Sequence, residues 1–448
     1  MCAFSYLNFT ICMRKSLFLN YRLYKLRDLA VCGFLEIFTI LAINFDFLYH
    51  YVMNYKELEM PKSGDRVVVG LSGGVDSTMT ALLLKEKGCT VIGVTMSLWT
   101  EGDLPDLPIA AHLHDSCYGP GEVADIADCE QFCKQYGIEY HVIDVKEAYK
   151  KQVLDYFKAE YRAGRTPNPC IRCNRFIKFG ALLAGIESLG IDYDYFCTGH
   201  YAKIVRGEEP LSSLYGEKAS LSEEGKSMPA QIACAMDLTK DQAYFLYRIP
   251  STVLEKVRFP LSGYTKKEVF AMARERNLKA AGKAESQDFI PPEYMDYLFS
   301  DQPSVPGDFI DVDGHVLGKH KGIEHYTIGQ RRGLGVSAKE PLYVAAIDKQ
   351  KNLVVLGKDS DLFCDGLIAE DLVWPADYDP CCEFSASVKI RLASKPVTAR
   401  LMPYENNTYK VLFDEPQRAV APGQSVVFYK DGVTCGGGII ASAINSKQ

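Results

Sequence analysis

No stretch of about 18 apolar residues runs through this sequence without a charge, so a membrane-spanning helix is poorly supported. The most apolar segment, LAVCGFLEIFTILAINFDFLYHYVM, is interrupted by Glu36 and Asp46. It carries no small-residue cleavage site of the secretory kind. A basic excess is also missing: 50 Lys and Arg stand against 57 Asp and Glu, a net charge of −7. Any nucleic-acid binding must therefore come from local patches, not from the overall field. The phosphate-loop pattern ending in Gly-Lys-Ser/Thr is absent, as is the dinucleotide pattern G-x-G-x-x-G. No second C-x-x-C and no histidine pair completes a four-ligand zinc site. There is no internal repeat and no glutamine-hydrolysing domain. The 15 cysteines are scattered behind no signal peptide, which predicts reduced thiols in a cytoplasmic protein, not a disulfide framework. None of them lies between Cys234 and Cys364.

What is present is a chain of 448 residues with 47% hydrophobic content, enough for two or three domains. RVVVGL (66–71) and TVIGVTMSLW (90–99) read as buried strands, with the helical TMTALLLKEKG between them and Gly88 as its C-cap. VADIADCEQFCKQYG is helical, EYHVIDV is a strand, NRFIKFGALLAGIESLG is helical, and YDYFCTGHYAKIV is a strand running into a loop. Strands alternating with helices predict an α/β fold with a parallel sheet. Residues 206–230 read as a polar surface insertion. From about 290 glycine turns separate short strands, and from about 362 to 445 the pattern is strand and turn alone, as in a small antiparallel β-barrel. The expected division is an atypical extension at 1–59, a catalytic domain at 60–288, a small mixed central domain at 289–361 and the barrel at 362–448. MPKSGDRVVVGL from Met60 looks like a natural start, so the extension is read as an over-long gene model.

Two segments carry chemistry. GLSGGVDS (Gly70–Ser77) joins a strand to a helix, where backbone N–H groups and the helix N-terminus hold an anion. Gly73 and Gly74 permit close backbone approach, Ser72, Ser77 and Thr78 add hydroxyl donors, and the Asp76 carboxylate, with no lysine beside it, suits magnesium. TPNPCIRCN (Thr166–Asn174) places Cys170 and Cys173 three residues apart after two prolines. Around it lie Lys150, Lys151, Lys158, Arg162, Arg165, Arg172, Arg175 and Lys178, opposed by Asp155 and Glu160. Such a basic stretch suits a phosphate-rich substrate. A helix starting near Asn174 would put Cys173 at its N-terminus between two arginines, which favours the thiolate. Tyr201, Tyr244 and Phe245 offer faces for an extruded base, although core packing is the commoner use of aromatics. Cys129 and Cys133, at i and i+4, read as core thiols.

S-G-G-x-D-S after a first strand resembles the pyrophosphatase loop of the N-type ATP pyrophosphatases, which adenylate a substrate and release pyrophosphate. AGRTPNPCIRCNRFIKFG, TGHYA (198–202), KDQAYFLY (240–247), HYTIGQRRGLG (325–335), DEPQRAVAPGQSVVFY (414–429) and GGGII (436–440) resemble, in order, the motifs of bacterial tRNA-specific 2-thiouridylases. The resemblance covers about 65–445 and implies a parallel-sheet ATP-pyrophosphatase domain, a small central tRNA-binding domain and a C-terminal barrel. It implies ATP and Mg2+ as cofactors. ATP would be held by Gly70, Leu71, Ser72, Gly73, Gly74, Val75, Asp76 and Ser77, with Met96 and Gly199. It implies tRNA contacts at Asn168, Pro169, Cys170, His200, Lys240, Asp241, Gln242, Arg331, Arg332, Arg391 and Gln424. The expected reaction adenylates the C2 oxygen of the wobble uridine and then replaces it with sulfur from a cysteine desulfurase or a relay protein. The chain departs from the family where a second catalytic cysteine is usual: the region reads KAESQDFIPPEY (283–294). Two sulfur routes stay open. Either Cys170 and Cys173 form the persulfide–disulfide pair themselves, or they join Cys117 in holding an iron–sulfur cluster, [4Fe-4S] in type. Divergent sulfur chemistry and a different ATP-dependent adenylating ligase are the alternatives. A cytoplasmic monomer with no membrane partner is expected.

Overall fold

The structure, a computed structural model, describes residues 55–100, 102, 116–208, 215, 228–283, 289–290 and 294–445. The segment before Tyr55, most of the polar insertion and the region around Gln287 lie outside the described residues, as do the expectations that fall on them.

Valine-rich runs build the first layer. β1 (Arg66–Gly70), β2 (Thr90–Ser97), β3 (Glu139–Asp144), β4 (Tyr195–Cys197) and β5 (Val257–Arg258) form a parallel sheet in the order β3-β2-β1-β4-β5. Val67, Val68 and Val69 are fully buried because both faces are covered. Helix α1 (Val75–Glu86) follows β1, and α2 (Glu122–Tyr136), which follows β2, ends on Gly137 in the left-handed region. Cys129 and Cys133 are buried on the inner face of α2. The chain reverses direction across the sheet between β1 and β4, so the loops after these two strands meet at one edge. Open α/β sheets bind ligands at such a switch point.

The 307–357 region is a separate four-stranded sheet of Gly307–Asp311, Val316–His320, Tyr343–Asp348 and Leu353–Gly357, packed on Phe309, Tyr326, Val344 and Leu356. Beyond it, six antiparallel strands from Phe363 to Ile444 close into a barrel, the last strand pairing with both Phe363–Val373 and Ser425–Lys430. The α/β fold with a small central sheet and a terminal barrel is therefore present.

Sequence periodicity does not reveal how these parts join. The barrel strand Val433–Ile444 pairs onward with Ala230–Ala233, which pairs with Lys203–Gly207, which pairs with Tyr55–Glu57. The barrel's hydrogen-bonded sheet thus runs into the catalytic domain. Residues 55–59, assigned by composition to the extension, belong to the fold. Tyr55 is buried, Leu58 donates its N–H to the Ile204 carbonyl at 2.8 Å, and the Arg258 guanidinium donates to the Glu59 carbonyl at 2.7 Å. Among the described residues no helix is long and apolar enough to cross a membrane.

Candidate active site

The loop after β1 is held open by its own hydroxyls. Ser72 donates its N–H to the Ser77 hydroxyl at 3.1 Å, while the Ser77 and Thr78 hydroxyls donate to the Gly74 carbonyl at 3.2 and 2.9 Å. Gly73 has φ +74°, which a side chain would strain. Leu71 donates to the Val94 carbonyl on β2 at 2.7 Å and its carbonyl accepts from the Thr95 hydroxyl at 3.1 Å, which fixes the loop on the sheet edge. Met96 follows on the same strand and is half-buried. From the loop after β4, Gly199 touches the start of α1. A methyl group there would lie 2.7 Å from the Asp76 carbonyl carbon and 2.8 Å from the Ser77 nitrogen. The Gly70–Ser77 loop and Gly199 therefore meet at the start of α1, where backbone N–H groups at a helix N-terminus suit a phosphate chain.

Asp76 is not without a lysine. Lys266, at the start of α3 (Lys266–Glu275), places its ammonium 2.8 and 2.7 Å from the two carboxylate oxygens, and the Tyr201 hydroxyl donates to the same group at 2.9 Å. The Thr265–Glu268 capping box sets the helix end that carries Lys266. This cation is 190 residues away in sequence, and only folding reveals it. Tyr201 is consequently a buried orienting group. Tyr244 is buried too, its hydroxyl donating to the Ser425 carbonyl of the barrel at 2.9 Å. Neither tyrosine has a free face for a base, which corrects the stacking expectation for these two, while Phe245 is half-buried.

The cysteine turn begins earlier than its residues predict. Asn168 caps a helix whose first residue is Pro169, accepting from the Ile171 N–H at 3.2 Å. The helical run continues from Pro169 to Ser188, with an i→i+5 segment at Cys173–Ala181; such wide turns are frequent at functional sites. Cys173 is thus inside the helix and not at its N-terminus. Burial pushes its thiol up to about 12, against a smaller opposing pull from Lys178. The expected thiolate stabilisation is overturned, because desolvation outweighs the helix end and the nearby cations. Cys170 has an exposed side yet sits in a crowded concavity, and its thiol is pushed up to about 11.

Cys117 joins this pair in space. The Tyr149 phenol, raised well above its usual value by burial first, also feels the thiols of Cys173, Cys117 and Cys170. Tyr149 stacks on Tyr118 at 5.3 Å, and Tyr118 donates its N–H to the Phe289 carbonyl at 3.1 Å, which ties the Cys117 loop down. The three thiols do not form a mononuclear site. Among the described residues, the group of three ligand types within 4.8 Å of one another is Asp311, Asp313 and His315, on an exposed turn of the central sheet.

The residues expected to touch tRNA divide into two groups. Asp241 accepts from the Ala235 N–H at 2.9 Å and closes its own loop, while Gln242 accepts from the Tyr201 N–H at 2.9 Å and holds that loop onto the TGHYA turn. The Gln424 amide donates to the Thr166 and Pro167 carbonyls at 3.0 and 3.2 Å, bracing the cysteine turn from the barrel. Lys240, Arg331 and Arg332 are exposed, and Arg391 is half-buried. His200 packs between Phe179 and Phe259 with a ring nitrogen 2.7 Å from the Thr198 hydroxyl. Burial, then the Lys178 charge, hold it well below the usual imidazole range.

A backbone cradle for phosphates at the switch point of a parallel sheet, with a part-buried acid–lysine pair beside it, defines a nucleotide-using α/β enzyme of the pyrophosphatase-loop kind. Comparison with known proteins narrows this. Three family profiles match in succession: a tRNA methyl transferase HUP domain at 65–291, a tRNA methyl transferase PRC-barrel domain at 295–358 and an aminomethyltransferase beta-barrel domain at 364–440. The chain is 42% identical over 84% of its length to a tRNA-specific 2-thiouridylase of Endomicrobium trichonymphae, covering 98% of that protein. Those of Carboxydothermus hydrogenoformans and Roseiflexus sp. are 41% and 42% identical over 84% of this chain, which covers 97% and 99% of them. The chain belongs to the tRNA-specific 2-thiouridylase family.

Proposed function

We propose that the chain uses ATP to adenylate the C2 oxygen of the wobble uridine in tRNA and then replaces that oxygen with sulfur. The observation that carries this is the match at about 40% identity through all three domains of the relatives. In this reading the N–H groups of Gly73–Ser77 bind the β- and γ-phosphates, and Gly199 leaves room for the α-phosphate beside Asp76. Magnesium, when bound, screens the phosphate charges, with Asp76 as the carboxylate that reaches it. Lys266 then balances the pyrophosphate as it leaves. The C2 oxygen attacks the α-phosphorus and pyrophosphate departs. A sulfur nucleophile adds at C2, and AMP leaves with the former C2 oxygen.

For the sulfur source we favour an iron–sulfur cluster held by Cys117, Cys170 and Cys173. The gathering of three thiols around Tyr149 supports this, as does the lack of a cysteine between Cys234 and Cys364. When bound, such a cluster would present a sulfide to the activated uridine. The second reading uses a persulfide on one of Cys170 and Cys173. Its outer sulfur bonds to C2, the other thiol attacks the inner sulfur, and the resulting disulfide takes two electrons from an external thiol before the next turnover. Partners are tRNA and a persulfide or sulfide donor, acting on a cytoplasmic monomer. Mass spectrometry of tRNA from a deletion strain tests the activity: unchanged wobble 2-thiouridine sinks it. Iron and sulfide analysis after anaerobic purification tests the source, since an iron-free protein that still thiolates tRNA leaves only the persulfide route.

A further inference from the structure

The eight cations around the cysteine turn are not equivalent once folded. Lys158 and Arg162 are both spent on Asp301, at 2.9 and 2.8 Å. Arg165 is held by Glu160 at 2.7 Å and by Glu370 of the barrel at 2.8 Å. Arg172 and Arg175 have no carboxylate within ion-pair reach among the described residues, although both are half-buried. Arg172 donates Nε and Nη2 to the backbone and side chain of Gln152, each at 3.1 Å, and among the described residues Nη1 has no acceptor. Its guanidinium lies 4.2 Å from the Tyr156 ring centre and 4.4 Å from that of Phe176. Arg175 lies 5.2 Å from the same Phe176 ring and makes no hydrogen bond among the described residues. Aromatic faces on either side fix the plane of the Arg172 fork before any ligand arrives, whereas Arg175 rests on one ring.

A third guanidinium adds to the field. Arg248 is buried and paired with Asp371 of the barrel at 2.8 Å. It lines one concavity together with Asn168, Arg172 and Ser425, at the seam between catalytic domain and barrel. Burial lowers the pKa of Arg172 and Arg175 and the Arg248 charge pushes the same way, opposed on Arg172 by Tyr156, Asp371 and Glu160 and on Arg175 by Asp377. Asp371 lines the same concavity but is engaged by Arg248, so Arg172 and Arg175 keep donor capacity for an outside anion. Asn168 caps the helix that carries Cys170, so this seam adjoins the sulfur pocket.

We propose that Arg172 and Arg175 form a phosphate seat for an RNA backbone, holding the phosphodiester that adjoins the nucleotide entering the sulfur pocket. The inference rests on the reading of the chain as a tRNA-modifying enzyme. Arg172 is the stacked, pre-set half of the seat and Arg175 the half that closes on the ligand, with Arg248 supplying field but no contact. A phosphodiester fits better than a carboxylate ligand, because a backbone tracking past the turn offers repeated charges at one strand spacing.

The test is equilibrium binding of an anticodon stem-loop to the full chain across a potassium chloride series. The variants are R172M, R175M and R175K. Each Met variant is expected to weaken binding roughly 5–20-fold at low salt and to flatten the plot of log affinity against log salt by about 0.7–1, one lost contact. R175K should keep the wild-type slope. In a second arm, wild-type protein is given stem-loops with a neutral methylphosphonate at each linkage flanking the wobble position. One of these linkages should cost the wild type as much as R175M does, and should cost R175M nothing further. Wild-type slopes in both Met variants, or no sensitive linkage, would overturn the seat while leaving the thiolation reading intact. Failure of the wild type to bind the stem-loop at all would overturn both.

Discussion

Gly199 makes the nucleotide cradle depend on a single hydrogen atom. In Gly199→Ala the new methyl would sit 2.7 Å from the Asp76 carbonyl carbon and 2.8 Å from the Ser77 nitrogen, where ordinary contact begins at 3.4 Å. The first turn of α1 must therefore retreat by about 0.7 Å, the difference between the two carbon distances. Gly199 has no positive φ, so alanine strains nothing of its own and even narrows the unfolded ensemble. The whole effect falls on the loop. An N–H group withdrawn by that amount from a phosphate oxygen at about 2.9 Å passes outside hydrogen-bonding range. One lost bond to a charged acceptor is worth about 1.5–3 kcal/mol, or roughly 10–150-fold in ATP affinity. Calorimetric titration with ATP and magnesium, beside pyrophosphate release, measures it. Thermal unfolding should move little, because the displaced turn is at the sheet edge. Gly263→Ala is the control, since a methyl there meets nothing within 4 Å. ATP affinity within twofold of wild type in Gly199→Ala would refute the placement of the phosphates against Asp76 and Ser77.

Three further outcomes are expected. Lys266→Met leaves Asp76, itself about 29% exposed, with the Tyr201 hydroxyl as its remaining partner in the cradle; it should lower the melting temperature and abolish pyrophosphate release, whereas Lys266→Arg should retain part of both. Gln424→Ala removes the brace on the Thr166 and Pro167 carbonyls and should reduce kcat for thiolation with little change in KM for tRNA, while a rise in KM alone would show that this side chain grips tRNA instead. His200 is depressed well below its unfolded value, so the unfolded state binds the extra proton and stability is lost as pH falls below about 6.5. Denaturant titrations from pH 5 to 7 should show that slope, and His200→Asn should flatten it.

Local sequence announced the parallel sheet because its strands are buried on both faces and need no partner to be recognised: RVVVG is buried from Val67 to Val69 and TVIGVTMS from Val91 to Thr95. The phosphate loop was legible for the same reason, since its glycines and hydroxyls act on their own backbone. The helix start at Pro169 was equally local, with an asparagine cap and a proline at the first position, yet the basic run downstream drew the boundary toward Asn174. Other features had no local signal at all. The three residues of Tyr55–Glu57 are too few to show a period, and their partner strand lies about 150 residues on. Lys266 meets Asp76, and Tyr244 meets Ser425, across 190 and 181 residues. The rise of the Cys173 thiol comes from burial by the whole domain, whereas sequence displays only the cations beside it.

The ladder that joins the barrel to the catalytic domain also sets an order of events during synthesis. Ala230–Ala233 can pair with Lys203–Gly207 soon after both leave the ribosome, but its other edge waits for Val433, 200 residues later. At about 5–20 residues per second that wait lasts about 10–40 s. For that time the nascent chain presents an open strand edge, Ala-Gln-Ile-Ala, a template for any other extended segment. Translation speed through the barrel's coding region, and the chaperones that meet the chain there, should therefore govern the yield of folded enzyme more than substitutions within the barrel itself.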